Sequence, residues 1–142
     1  MVERILVPYD GSPLSQRALD RVLDHHPDAD ITVLYVVDPM HAMYEAEIEG
    51  LGAASSWADR MQEHGDAVLE AATDRAVAAG VEVAAVTELG RPARAILEYV
   101  DDHDIDHVVM GSHGRSGVSR LVMGSVAERV LRHSPVPVTV VR

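Results

Sequence analysis

Apolar residues along this chain follow two rhythms. In residues 4–9 (RILVPY), 31–37 (ITVLYVV), 81–89, 105–110 (IDHVVM) and 136–141 (VPVTVV), apolar side chains come in short dense runs. Such runs fit strands buried on both faces. Elsewhere the apolar positions recur three and four apart. Leu14, Ala18, Leu19, Val22 and Leu23 form one such set, and Met61, Val68, Leu69, Ala72, Ala76 and Ala79 another. Ala93, Ile96, Leu97 and Val100, then Val126, Val130 and Leu131, form two more. This spacing puts one stripe along a helix.

Punctuation residues agree with the rhythm. Asp10-Gly11-Ser12-Pro13 reads as a turn and helix start, with Ser12 at the N-cap and Pro13 at the first helical position. Gly80 suits the end of a helix over about residues 58–79. Gly90-Arg91-Pro92 restarts a helix, and Pro135 stops a last one over about residues 121–133. Residues 39–57, with Met40, Met43, Gly50 and Gly52, have poor periodicity and read as a long connection, with room for a short helix. Strands alternating with helices imply parallel pairing through right-handed crossovers. The expectation is a single α/β domain over residues 1–142, a three-layer sandwich with helices on both faces of the sheet.

Composition narrows the function classes. The chain has no cysteine, which removes disulfides, thiolate metal sites and thiol nucleophiles. All 12 basic residues are arginine, so Schiff-base chemistry and a phosphate-loop lysine are excluded. A net charge of −11 disfavours nucleic acid or an anionic membrane as partner. No run approaches the roughly 18 apolar residues of a membrane span, and the start MVERILVPYD lacks the pattern of a signal peptide. A cytoplasmic protein follows as the expectation, and an acidic, lysine-free surface points to salt adaptation.

The charge is unevenly placed. Residues 107–142 hold five arginines and one acid, Glu128, while the rest holds seven arginines and 22 acids. Within the basic part lies GSHGRSGVSRLVMGS, from Gly111 to Ser125, with four glycines and no carboxylate. Ligands of open α/β sheets sit beyond the carboxyl ends of the strands. Here those ends are residues 8–12, 36–38, 89–92 and 110 onwards. Gly111 and Gly114 permit close backbone approach. Gly124 and Ser125 stand at the start of the final helix, whose amides favour an anion. Arg115 and Arg120 are candidate phosphate contacts on charge alone. A Walker loop is ruled out by the missing lysine, and the dinucleotide fingerprint G-x-G-x-x-G is absent after the first strand.

A first strand ending VPYDGS, a second ending LYVVDP, then GRPARAIL and VVMGSHGRSG…MGS…VPVTVVR resemble, in order and over essentially the whole chain, the universal stress protein family. The G-x2-G-x9-G-S spacing is the specific part and marks the ATP-binding branch. The resemblance implies a Rossmann-like fold of the adenine nucleotide alpha hydrolase type, with parallel strands in order 3-2-1-4-5. It implies a pocket for ATP, or AMP or ADP, with Mg²⁺ accompanying the triphosphate. Asp10 would reach the adenosine part, Val36 would line the adenine slot, and Pro8 and Met110 would complete its walls. Gly111 and Gly114 would approach ribose and phosphates, with Gly124, Ser125 and Val126 serving the phosphate chain. It also implies a homodimer through residues 136–141. Pro135 and Pro137 independently mark that strand as an edge, and a proline at Thr139 is expected to disturb it.

Rival readings remain open. Asp10 and Ser12 could simply cap the first helix, and Ser125 the last. No set of the eight histidines has spacing suited to a metal site built by the protein. Ser112 beside His113 invites a hydrolase reading, but sequence neighbours seldom pair as nucleophile and base, and the elbow G-x-S-x-G is missing. Without positioned cations or a clear base, binding is favoured over turnover. The function expected is a nucleotide-dependent stress-response module with no catalytic residues. A slow ATPase or nucleotide hydrolase is the alternative, and a chaperone-like module working through residues 39–57 a third.

Overall fold

The computed structural model describes residues 2–40, 51–113 and 123–142, and of residues 51–56 the backbone alone. Among the described residues, five strands and four helices alternate: β1 (Arg4–Pro8), α1 (Pro13–His25), β2 (Asp30–Val37), α2 (Leu51–Ala78), β3 (Val83–Leu89), α3 (Pro92–Asp102), β4 (His107–Gly111), α4 (Ser125–His133) and β5 (Val138–Val141). The strands form one parallel sheet in the order β3-β2-β1-β4-β5. This is the α/β sandwich and the strand order expected from the sequence.

Strand periodicity explains the layers. Ile5, Val7, Ile31, Val33 and Tyr35 face one side of the sheet and are buried under Leu19 and Val22 of α1 and Ala72 and Ala76 of α2. Leu6, Leu34, Val108 and Met110 face the other and are covered by Ile96 and Val100 of α3 and Ala127 and Val130 of α4. Successive residues of one strand thus serve two cores, which is why the central strands read as continuous apolar runs.

Helix ends follow their local chemistry. Gly80 has φ +75°, its N–H bonds Val77 O, and the Val81 N–H bonds Ala76 O, so the glycine closes α2 in a Schellman turn. Val81, expected to open β3, belongs to this turn. Likewise β4 starts at His107, because Ile105 and Asp106 serve to stitch the turn onto α3 and β1. There the Asp106 N–H bonds Arg4 O at 2.8 Å, and the Arg4 N–H bonds Asp106 Oδ2 at 2.9 Å.

Two boundaries correct the sequence reading. Helix α2 already includes Leu51, ahead of the expected start near residue 58, so part of the expected connection is helical. The stretch LGAASSW hides this, because small and polar residues show no apolar stripe. Helix α4 begins at Ser125 after an extended Gly124. The expected start at residue 121, and residues 41–50 of the connection, lie outside the described residues.

Candidate functional site

The strand order reverses between β1 and β4, and the chain leaves their carboxyl ends in opposite directions. The Tyr9 N–H still reaches Leu34 O at 2.8 Å, extending the ladder one residue beyond β1. The chain then turns sharply: Gly11 has φ +82°, and the Asp10 Oδ1 accepts the Ser12 N–H at 2.9 Å. Ser12 occupies the N-cap position of α1, but its side chain makes no capping bond. Its hydroxyl instead lies 3.3 Å from that of Ser15. The capping alternative for Asp10 and Ser12 therefore resolves into a turn just ahead of the helix.

At the end of β4 the backbone is pinned from three sides. A Cβ on Gly111 would sit 2.8 Å from Leu14 Cβ and 3.0 Å from Leu14 C, so its glycine lets α1 pack closely against β4. The next residue, Ser112, donates its N–H to Val141 O at 2.8 Å and accepts the Gly124 N–H on its carbonyl at 2.7 Å. A Cβ on Gly124 would stand 2.9 Å from that same carbonyl. The first and last glycines of the G-x2-G-x9-G-S spacing are thus required by packing among α1, β4 and α4. Gly124 is the N-cap of α4 and Ser125 its first residue.

These ends enclose a cavity of about 380 Å³. Pro8, Asp10, Val36 and Met110 line it from the strands, and Gly111, Gly124, Ser125 and Val126 from β4 and the start of α4. Gly114, Arg115 and Arg120 lie outside the described residues. Asp38, after β2, also faces the cavity, and its Oδ1 accepts the Met40 N–H at 2.9 Å. Tyr9 contributes to the wall. Burial pushes its phenol up from the ordinary value, the Arg75 guanidinium opposes this, and Asp20 and Asp10 add to it. The tyrosine therefore stays a neutral hydroxyl.

Ser112 and His113 meet at this end of β4. They are sequence neighbours, yet the Ser112 hydroxyl lies 3.1 Å from His113 Nδ1, and both side chains are buried in the cavity wall. Adjacent residues leaving a strand can pair when the backbone turns at once, as it does here to reach Gly124. Among the described lining residues there are two carboxylates, one imidazole and no arginine.

The model of the universal stress protein family matches residues 1–142. The chain belongs to the universal stress protein family. It is 32% identical to the universal stress protein MJ0531 of Methanocaldococcus jannaschii, over all of this chain and 83% of that one. It is 28% identical to YxiE of Bacillus subtilis over the full length of both. Among solved structures, the protein MJ0577 superposes with a TM-score of 0.83 at 26% identity, covering 99% of this chain and 96% of that one. A universal stress protein in complex with cAMP superposes with a TM-score of 0.70 at 28% identity, covering 99% and 97%.

In this universal stress protein further wall residues escaped the sequence reading, two of them on α2. Trp57 and Met61 stand one helical turn apart on α2 and reach the cavity. Trp57 is the chain's single tryptophan, and it was hidden by assigning residue 57 to the connection. Had the helix been extended by two turns, the i, i+4 pair would have exposed it. Among the described residues no helix is long and apolar enough to cross a membrane.

Proposed function

We propose that this universal stress protein binds an adenine nucleotide in the cavity between β1 and β4 and acts as a nucleotide-dependent regulatory module in stress response. The observation that carries this is the polarity of the cavity. Apolar Pro8, Val36, Ile96 and Met110 make a slot of the kind an adenine fills, with the Asp10 carboxylate beside it for ribose hydroxyls. The α4 N-terminus, Ser125 and the Ser112–His113 pair line the same cavity and favour a phosphate. The relative in complex with cAMP supports the same ligand class. The volume, about 380 Å³, lies at the lower end of small-ligand sites. Gly114, with Arg115 and Arg120, would extend the phosphate end for ATP, and Mg²⁺ would arrive with the triphosphate. The setting is a salt-rich cytoplasm, as the acidic, lysine-free composition favours.

The unit is a homodimer in this reading. β5 is an edge of the sheet, its four residues only half-buried, and its valines need cover.

The test is mass analysis of small molecules that co-purify, then titration with ATP, ADP, AMP and cAMP in molar salt. Quenching or enhancement of Trp57 fluorescence reports occupancy. Failure of all four to bind sinks the reading. The Ser112–His113 hydrogen bond favours one second reading, slow nucleotide hydrolysis. Turnover with ATP and Mg²⁺ far above background, lost in Asp10→Ala, would establish it.

A further inference from the structure

The two carboxylates of the described cavity wall are engaged differently. At the end of β1, Asp10 belongs to the turn before α1, with its Oδ1 on the Ser12 N–H. At the end of β2, Asp38 is half-buried and its Oδ1 accepts the Met40 N–H at 2.9 Å. Its second oxygen, Oδ2, makes no hydrogen bond among the described residues. The strand beneath it is fixed, because the Gly90 N–H bonds Val37 O at 2.9 Å and the ladder to β3 runs to the last residue of β2. Leu34 and Val36 turn toward α3 and α4, and Asp38 takes the next position of that alternation. It thus stands at the outer end of the apolar slot made by Pro8, Val36, Ile96 and Met110. The sheet order sets what reaches it. β2, β1 and β4 are neighbours in that order, and the Gly124 N–H on Ser112 O ties the start of α4 to the end of β4. Two strand spacings, about 10 Å, separate the end of β2 from the end of β4. A nucleotide has that reach from base to phosphate, so one with its phosphate at α4 brings the edge of its base to Asp38.

We infer that Asp38 is a specificity-determining residue of this cavity, whose carboxylate selects a base carrying an exocyclic amino group over one carrying an oxo group at the same place. The inference rests on the nucleotide reading above. The adenine amino group has two N–H donors and can give one of them to Oδ2. A carboxylate offers acceptors only, so it repels the oxygen that an oxo base presents there. Because the acceptor is charged, the bond to it is stronger than one to a neutral carbonyl. Oδ1 stays on the Met40 N–H throughout, so the group is held in place before a ligand enters and little ordering is left to do. A residue serving the turn alone would need one oxygen, and asparagine would supply it equally well. The second oxygen is therefore what separates a selector from a turn residue.

The experiment measures dissociation constants of three nucleotides for the full chain and for Asp38→Asn, at neutral pH in molar salt. They are AMP, purine riboside 5′-monophosphate, which lacks only the amino group, and IMP, which has an oxo group in its place. The asparagine keeps an oxygen for the Met40 N–H and then turns its amide N–H groups to the base. The unaltered protein should bind AMP roughly tenfold more tightly than either of the others, as a hydrogen bond to a charged group implies. In Asp38→Asn the preference for AMP over purine riboside 5′-monophosphate should fall to about twofold or less. IMP should bind this variant more tightly than it binds the unaltered protein, and purine riboside 5′-monophosphate should bind both alike. Asp38→Ser, whose hydroxyl also accepts a turn N–H, repeats the comparison if the first variant fails to fold. An unchanged ratio of AMP to purine riboside 5′-monophosphate overturns the inference. So does an equal loss for all three nucleotides, which would mark Asp38 as a turn residue. If the unaltered protein binds none of AMP, ADP and ATP, the nucleotide reading has failed and the inference with it, a result distinct from AMP binding with no Asp38-dependent preference.

Discussion

β4 carries a histidine close to each of its ends, and the two are held in different ways. At the base of the sheet, His107 has Nε2 2.8 Å from Thr139 Oγ1 and Nδ1 3.5 Å from Glu3 Oε1. His26, the C-cap residue of α1, joins them, its Nδ1 3.4 Å from Glu3 Oε2 and its ring 6.0 Å from that of His107, edge to face. A carboxylate is built in there, so any proton on these rings meets its counter-charge within the fold. At the mouth, His113 lies against the Ser112 hydroxyl in the cavity wall. The base ties α1, β4 and β5 together, whereas the mouth faces the cavity. What a histidine stands beside, more than its burial, separates a tie from a group at a cavity wall.

The largest effect expected at the mouth comes from Gly124→Val. Its side chain would collide with the Ser112 carbonyl and displace the 2.7 Å bond from the Gly124 N–H. Overpacking and a lost hydrogen bond together should cost about 2–4 kcal/mol in urea denaturation. Because the same contact joins β4 to α4, AMP affinity should fall as well. A variant with unchanged stability would show that the glycine is there for the ligand and not for the packing.

How far all this could be read in the sequence depends on which interactions decide each feature. The sheet was legible because burial on two faces makes Ile5 to Val7 and Ile31 to Val37 uniformly apolar, and helical stripes lie between. Gly80 was legible because a left-handed helix end needs a glycine. The Gly111–Ser125 stretch was legible as a mouth segment, but the reason for its outer glycines was not. Gly111 answers to Leu14, almost a hundred residues away, and Gly124 to Ser112. No local pattern reports such contacts. Trp57 was missed because the helix holding it begins among residues without a stripe, and the Ser112–His113 bond because it depends on a backbone turn.

Strand β5 shows a similar limit and supplies the next test. Proline at Thr139 was expected to strip a donor from the outer edge. Yet the Val108 N–H bonds Pro137 O and the Ser112 N–H bonds Val141 O, so odd-numbered residues of β5 turn their polar groups toward β4. The outward N–H groups are those of Val138 and Val140. Thr139→Pro should therefore break the internal ladder and remove the hydroxyl that holds His107, destabilising the chain by about 2 kcal/mol. Val140→Pro should leave the fold near its original stability and lower the mass in solution, if a second copy pairs along β5. Equal destabilisation by both would refute the assigned alternation, and an unchanged mass for a folded Val140→Pro would remove β5 as the dimer edge.

The smallest effect should come from Glu3→Gln, which probes the base directly. Glu3 is 44% exposed in its side chain, so solvent weakens both its histidine pairs. The substitution keeps shape and hydrogen-bonding capacity while removing the charge. It should cost less than about 1 kcal/mol in matched urea titrations. AMP binding at the far end of β4 should not change. A larger cost would mean that Glu3 holds the base by packing and neutral hydrogen bonds. A change in AMP affinity would mean that the two ends of β4 are coupled, and that the separation between tie and cavity wall fails.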